Sequence, residues 1–148
     1  MTQTSDTEVP VLSILVPCFN ERGTIRQVLE MLRAVDFGVT TEIVVVDDGS
    51  TDGSRDILRG LPAWENVRAV YHEANAGKGA AIQTAIKHAR GQIVVIQDAD
   101  LELNPRDLLP LLAAVKGGET SVCFGSRFMG PNRRMWGMPT YWANRMLN

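Results

Sequence analysis

Four short apolar runs, separated by segments of helical character, constrain the fold of this 148-residue chain more than any other feature. One of them, residues 43–46, reads Ile-Val-Val-Val without interruption. An unbroken β-branched run indicates a strand buried on both faces, as in a parallel sheet covered by helices. Residues 11–16, 67–71 and 93–96 form the other three runs, and residues 121–124 predict a fifth strand.

Helical periodicity fills the intervals between these strands. After the first strand, apolar residues recur at the i, i+3, i+4, i+7 spacing of one buried helix face, and Gly38 ends that segment. Further helices are predicted at residues 55–58, 79–89 and 105–116. The residues expected to face inward on the three longer helices are Ile25, Val28, Leu29 and Leu32, then Ile82 and Ile86, then Leu108, Leu111, Leu112 and Val115. Alternating strands and helices predict a doubly wound, mostly parallel α/β sheet with a Rossmann-like arrangement.

Polar clusters follow three of the predicted strands. Residues 20–21 follow the first strand, Asp47 and Asp48 the second, and residues 98–100 the fourth. Doubly wound sheets bind ligands beyond the carboxyl ends of their strands, so these clusters predict one site. For Asp47 and Asp48 the alternative is a turn that precedes a helix. A calcium loop is excluded, because Arg59 stands where that motif has a bidentate glutamate.

The most acidic of these clusters is Asp98-Ala99-Asp100, with Glu102 two residues further along the chain. Side chains alternate along extended backbone, so Asp98, Asp100 and Glu102 can point the same way. Three unpaired carboxylates repel one another, and a hard cation such as Mg²⁺ or Mn²⁺ removes that cost. The spacing therefore predicts a metal site, and a solvated acidic turn is the alternative.

Two basic segments carry further candidates. Gly77-Lys78-Gly79 opens a predicted helix, where glycine permits a close approach of backbone to a ligand and Lys78 adds a positive charge. A Walker-type phosphate loop is excluded because His72 stands where that motif has glycine, and a flexible loop is the alternative. Arg127 follows the predicted fifth strand and is suited to a phosphate group. His72 and His88 are interpreted as structural residues.

Composition and charge exclude several classes of function. A formal net charge of −2 does not suggest a nucleic-acid-binding surface. The apolar runs are only a few residues long, whereas a membrane-spanning helix needs ~20. The polar, acidic residues 1–8 do not resemble a signal peptide. Because Cys18 and Cys123 are far apart in the sequence, we expect reduced thiols and a cytoplasmic protein.

The two ends of the chain differ from its centre. Residues 1–10 predict a disordered lead-in. Residues 139–148 predict a helix in which Tyr141, Trp142 and Met146 would leave a large apolar surface exposed. We therefore expect this helix to dock on a missing C-terminal segment, on a membrane surface or on a second copy of the chain, which would make a homo-oligomer.

Five motifs, taken in order, resemble those of the family 2 glycosyltransferases, the inverting enzymes of the GT-A type. They are VPCFNE at residues 16–21, VDDGSTD at 46–52, GKG at 77–79, DADLE at 98–102 and GSR at 125–127. The chain looks most like the branch of dolichol-phosphate mannosyltransferases and polyprenyl-phosphate glycosyltransferases. This resemblance implies a GT-A nucleotide-sugar-binding domain over residues 11–148, with a C-terminal acceptor part missing.

The resemblance also implies roles for individual residues. The base and ribose of the nucleotide sugar would be bordered by Pro17, Phe19, Glu21, Val46 and Asp48. The diphosphate and the metal would be met by Asp98, Ala99 and Asp100, with Asp100 and Glu102 as metal ligands and Arg127 on phosphate. Asp98, Asp100 and Arg127 are then the catalytic candidates.

The function implied is transfer of a sugar, with inversion, from GDP-mannose or a UDP-hexose to a polyprenyl or dolichyl phosphate. Such a protein would make peripheral contact with the cytoplasmic face of a membrane. A lipid phosphate is already an anion at neutral pH and needs no strong general base, whereas a hydroxyl acceptor does. The alternatives are a glycosyltransferase with a hydroxyl acceptor and a non-catalytic fragment that binds nucleotide sugars. A sugar nucleotidyltransferase is disfavoured, since the first strand is not followed by a glycine-rich, basic loop.

Overall fold

The computed structural model describes residues 9–125, and within them four strands form one parallel sheet. The strands are β1 (Leu12–Cys18), β2 (Thr41–Asp47), β3 (Val67–Tyr71) and β4 (Ile93–Ile96), arranged in the order β3-β2-β1-β4. All three neighbouring pairs are parallel. The chain therefore builds the sheet outward from β1 to β3 and then returns to place β4 on the other side of β1. This change of direction creates a switch point between β1 and β4.

Helices connect the strands and cover both faces of the sheet. They are α1 (Ile25–Ala34), α2 (Ser54–Arg59), α3 (Lys78–His88) and α4 (Leu108–Lys116), the last preceded by a short 3₁₀ helix (Pro105–Asp107). Pro105 opens that helix, where its missing N–H costs nothing, and the Asn104 side chain caps it by accepting from the N–H of Arg106. The predicted α/β class with a parallel sheet is confirmed.

The sheet divides the buried residues into two clusters. On one face, β1 and β2 pack against α1, α2 and α4, and all four predicted inward residues of α1 are buried. On the other face, Leu15, Val44 and Val46 pack against Ala81 and Ala85 of α3. The residues of β2 from Glu42 to Asp47 are all buried, as the unbroken apolar run predicts.

The predicted inward face of α3 is confirmed for Ile82, which is partly buried against this second cluster, and wrong for Ile86. Ile86 is 52% exposed, and Ala81 and Ala85 are the buried residues of this helix. Each residue adds about 100° of rotation to a helix, so Ile86, directly after Ala85, points away from the sheet. Small alanine side chains allow α3 to approach the branched side chains of β1 and β2 closely.

The predicted fifth strand is also wrong, because residues 121–124 are not paired with any strand in the part of the chain that the structure describes. Here the side chain of Thr120 hydrogen-bonds to nearby main-chain groups. Its hydroxyl donates to the carbonyl of Val122 at 2.7 Å and accepts from the N–H of Val122 at 3.2 Å. Such local bonds compete with a strand ladder. Phe124 is 88% exposed.

At the amino ends of the strands, a buried polar cluster connects β1, β2 and the start of β4. Ser13 donates to Glu42 at 2.6 Å, and Glu42 also accepts from the main-chain N–H of Arg90 at 2.6 Å and from its Nε at 3.0 Å. The N–H of Gly91 donates to the Ser13 hydroxyl at 2.8 Å. No helix among the described residues is both long enough and apolar enough to cross a membrane.

Candidate functional site

The loops after β1 and β2 are joined to each other at the carboxyl edge of the sheet. The N–H of Asn20 donates to Ser50, and the Asn20 side chain accepts from the N–H of Thr51. Next along the chain, the N–H groups of Glu21 and Arg22 donate to Ser54 and Asp52 at 2.8 and 2.9 Å, respectively. Four hydrogen bonds therefore hold the segment that follows β1 and the segment that follows β2 together as one unit.

The two aspartates that leave β2 have different partners. Asp47 is buried and binds Nε of Arg55 at 2.5 Å, and the same guanidinium donates to the carbonyl of His72. Asp48, 2% exposed, accepts from Nδ1 of His72 at 2.7 Å. Both carboxylates thus hold the loop that follows β3, a loop that sequence analysis did not connect with them.

Asp48 is the anchor of this third loop, which runs from His72 to Gly77. It accepts from the N–H of Ala76 at 3.0 Å and from the N–H of Gly77 at 2.8 Å. Burial favours the neutral acid, but the hydrogen bonds donated to the carboxylate outweigh it and hold the pKa of Asp48 below its usual value. Asp48 is therefore an ionised acceptor at neutral pH, and its oxygens already receive three donors.

His72 extends this network to α3. Because the ionised Asp48 can only accept, Nδ1 of His72 carries a proton, and Nε2 lies 2.8 Å from the hydroxyl of Thr84. Sequence analysis interpreted His72 only as a structural residue beside a loop. The strand register could have found its partner: Asp47 pairs with Tyr71, so the next residues, Asp48 and His72, leave adjacent parallel strands side by side.

Gly49 brings the second and third loops into direct backbone contact. Its φ is +75°, and a Cβ at this position would lie less than 3.0 Å from the backbone of Ala74 and Asn75. Glycine is the residue that tolerates both the positive φ and the contact. The third loop can lie against the second only because residue 49 has no side chain.

The third loop leads into Lys78, which lies beside the acidic cluster. Gly77, with φ of +92°, turns the chain into α3, and Lys78 is the first residue of that helix. Nζ of Lys78 lies 2.5 Å from Oδ1 of Asp98, and the side chains are 59% and 29% exposed, respectively. The structure thus brings together two site residues that sequence analysis predicted separately.

The three acidic residues predicted as metal ligands lie on one loop after β4, and each carries carboxylate oxygens that can coordinate a metal ion. Asp100 accepts from the N–H of Glu102 at 3.1 Å, and Ala99 is buried between the two aspartates. Within residues 9–125, no three His, Cys, Asp or Glu side chains are gathered as a metal site. The donor chemistry nevertheless fits a hard cation, because Asp98 is partly exposed and already faces a positive charge. Metal binding by Asp98, Asp100 and Glu102 stays a prediction.

The residues predicted to border the base differ in exposure. Phe19 is 44% exposed and can stack on a planar ligand, whereas Pro17 and Val46 are buried. Glu21 is half-buried and accepts from the hydroxyl of Thr24 at 2.8 Å. Their predicted contacts with a nucleotide stay predictions, and Arg127 lies outside the described residues, as do the lead-in over residues 1–8 and the helix at 139–148.

Cys18 lies at the end of β1 but is not a nucleophile. Burial, assisted by the nearby carboxylate of Asp47, raises the pKa of Cys18 to about 12. The thiol therefore stays protonated at neutral pH, and covalent catalysis through a thiolate is excluded at this position.

Comparison with known proteins gives curated relatives that are lipid-phosphate glycosyltransferases. A dolichol-phosphate mannosyltransferase of Mycosarcoma maydis is 30% identical over 131 residues, which cover 84% of this chain and 44% of the relative. A dodecaprenyl-phosphate galacturonate synthase of Rhizobium johnstonii is 32% identical over 120 residues, which cover 78% of this chain and 36% of the relative. The chain therefore spans less than half the length of these relatives.

Solved structures share a similar fold over about three quarters of this chain. The mannosyltransferase PcManGT from Pyrobaculum calidifontis, in complex with GDP-Man and Mn²⁺, is 35% identical with a TM-score of 0.58, covering 74% of this chain and 32% of its own. S. aureus TarS 1–349 in complex with UDP-GlcNAc is 29% identical with a TM-score of 0.60, covering 73% and 32%. The fold is thus of the GT-A type. The model of the family described as glycosyl transferase family 2 matches residues 13–146, and the chain belongs to that family.

Proposed function

We propose that this chain binds a nucleotide diphosphate sugar, GDP-mannose or a UDP-hexose, and transfers the sugar with inversion to a polyprenyl or dolichyl phosphate. The observation that carries the proposal is the meeting of Lys78 with Asp98 at the switch point, beside the joined loops of β1 and β2. Relatives named for transfer to dolichol phosphate and dodecaprenyl phosphate support this class of acceptor.

The chain's own residues suit the parts of such a donor. Phe19 offers an exposed ring for the base, next to the loop that Asn20 and Ser50 join. Lys78, at the N-terminus of α3, suits the diphosphate, since both its ammonium and the helix end favour an anion. Asp98 and Asp100 would hold Mg²⁺ or Mn²⁺, which supplies positive charge against the negative charge that develops on the leaving diphosphate.

The acceptor side follows from the chemistry of the nucleophile. A lipid phosphate is an anion at neutral pH, so attack on the anomeric carbon needs no general base. Asp47 and Asp48, the buried carboxylates of the joined loops, are bound by Arg55 and His72 and are poorly placed to remove a proton from a hydroxyl. Neither of these two carboxylates is free to act as the base that a hydroxyl acceptor needs, which supports a phosphate acceptor. The protein would then work in peripheral contact with the cytoplasmic face of a membrane.

The test is a titration with GDP-mannose and UDP-glucose in the presence of Mn²⁺, followed by transfer of radiolabelled sugar to a polyprenyl phosphate in detergent. Binding with transfer is expected, and Asp100→Asn should abolish transfer while Glu30→Gln, on the exposed side of α1, should not. Binding without transfer would favour the non-catalytic alternative. No binding of either donor would contradict the proposal.

A further inference from the structure

The ion pair between Lys78 and Asp98 suggests a binding order for the site, given the proposed function. We infer that Lys78 takes the place of a divalent cation on Asp98 until a nucleoside diphosphate draws the lysine away. The protein then binds divalent metal poorly by itself and takes metal and diphosphate together. Lys78 is thereby a positioning residue for the metal as well as a partner of the phosphates.

The contact is made by the end of the Lys78 side chain on a backbone that is fixed. Asp48 accepts from the N–H groups of Ala76 and Gly77, and His72 links Asp48 to Thr84 on α3. The loop before Lys78 is therefore held from two directions. The Lys78 side chain itself is 59% exposed, so its ammonium can change partner without any movement of the loop.

The charges at this point favour such an exchange of partners. A lysine at the N-terminus of the eleven-residue α3 is at the positive end of the helix dipole, where anions are stabilised and cations are not. The first turn of α3 contains no acidic residue, and the carboxylate of Asp98 is the anion that Lys78 binds. A diphosphate carries more negative charge than one carboxylate and would compete for the same ammonium.

Each binding event then makes the other more favourable. When Lys78 turns to a diphosphate, Asp98 loses its cation and lies two residues from Asp100, so a metal ion gains a vacated carboxylate. When metal arrives first, it must displace the lysine and leave that ammonium at the positive end of α3. The coupling is reciprocal: metal and diphosphate should each strengthen the binding of the other by the same factor.

The test is Mn²⁺ titration of the nucleotide-free protein, with calorimetry or the spin-resonance signal of free Mn²⁺ as the readout. Lys78→Met keeps most of the length of the unbranched side chain and removes its charge. We expect this variant to bind Mn²⁺ about tenfold more tightly than the wild type, a typical size for coupling between two ligands. Lys78→Arg keeps the charge and should bind Mn²⁺ as the wild type does.

Lys87→Met is the matched control, since Lys87 is an exposed lysine in the last turn of the same helix. It should leave Mn²⁺ affinity unchanged. In EDTA, Lys78→Met should bind GDP or UDP more weakly than the wild type does. If Lys78→Met binds Mn²⁺ no more tightly than the wild type, the inference is overturned. This comparison uses no nucleotide, so it is decided even if neither GDP nor UDP binds and the proposed function fails.

Discussion

At the residue scale, the two adjacent aspartates after β2 have identical side chains but bind different partners. Asp47 and Asp48 leave the same strand, yet one binds Arg55 and the other binds His72 and the N–H groups of the third loop. Strand alternation directs them to opposite sides, so a pair of carboxylates in sequence need not form a pair in space. Asp98, in the acidic cluster after β4, is more exposed than these two buried aspartates and forms an ion pair with Lys78.

His72 should matter for diphosphate binding although it lies behind the loop. His72→Ala removes a hydrogen bond to the buried Asp48, a loss of ~1–3 kcal/mol, and should loosen the loop that delivers Lys78. We expect weaker binding of GDP or UDP, unchanged binding of the nucleoside, and faster amide exchange at Ala76 and Gly77. The control is His88→Ala, which removes a contact with the carbonyl of Thr84 on α3 and leaves the loop intact. Unchanged exchange at both amides would refute this role.

Gly49 should tolerate substitution far less well than Gly79. A methyl group at residue 49 meets the backbone of Ala74 and Asn75 at a positive φ, and strain of this kind costs on the order of 1–3 kcal/mol. Gly79 lies in the first turn of α3, and apart from that helix's own backbone no atom of residues 9–125 would lie within 4 Å of a Cβ at this position. Gly79→Ala should therefore stabilise the protein by up to ~1 kcal/mol. Urea unfolding of both variants measures the difference, and equal stabilities would contradict it.

At the element scale, β2 and the start of β4 are joined through a buried carboxylate far from the site. The Glu42 carboxylate accepts hydrogen bonds from the Ser13 hydroxyl and from the main-chain N–H and Nε of Arg90. Burial opposes ionisation, but the hydrogen bonds from Ser13 and Arg90 outweigh it and hold the pKa of Glu42 below its usual value. The ionised form is therefore the one that stabilises the fold.

The pH dependence of stability should show this contribution. Because the pKa of Glu42 is lower in the folded protein, its stabilisation is fully present above the unfolded pKa of ~4.3 and is lost as pH falls through the folded value. Glu42→Gln should cost ~1–3 kcal/mol at pH 7. The difference from wild type should shrink below about pH 4. Glu30→Gln, on the exposed side of α1, is the control. A constant difference from pH 7 to pH 3, measured by urea unfolding, would contradict the assignment.

The sequence predicts the strands and helices correctly where the burial of each residue depends on its own element. The unbroken run of β2 and the helical spacing of α1 predict buried residues correctly, because each pattern reflects one strand or one helix against a core. The burial of Ile86 was predicted wrongly because it depends on how α3 is rotated about its axis against the sheet. The strand at residues 121–124 was predicted wrongly because a strand needs a neighbour to pair with. The Asp48–His72 contact was not predicted from the sequence, because it joins residues that follow two different strands and can be found only when the register of those strands is known.

At the scale of the whole molecule, the sheet order determines which loops can share a ligand. The switch between β1 and β4 places the loop of Asp98 next to the loop of Phe19, and the loop of Asp48 follows β2, on the other side of β1. Lys78 follows the loop after β3 and begins α3, which packs on β1 and β2, and its side chain binds Asp98 after β4. A ligand bound here would contact loops that follow all four strands and should stabilise the fold as a unit.

Donor binding should accordingly raise the melting temperature of the protein, and far more with metal present than without it. A ligand at one hundred times its dissociation constant adds about 2.7 kcal/mol to the free energy of unfolding. We expect GDP with Mn²⁺ or UDP with Mn²⁺ to give a clear increase in Tm, and EDTA to remove most of it. Asp98→Asn and Asp100→Asn should lose the metal-dependent part, because an amide oxygen holds a hard cation more weakly than a carboxylate does. Glu30→Gln should keep it. If both aspartate variants respond to Mn²⁺ and nucleotide as the wild type does, the metal is bound elsewhere and the acidic loop after β4 is a solvated turn.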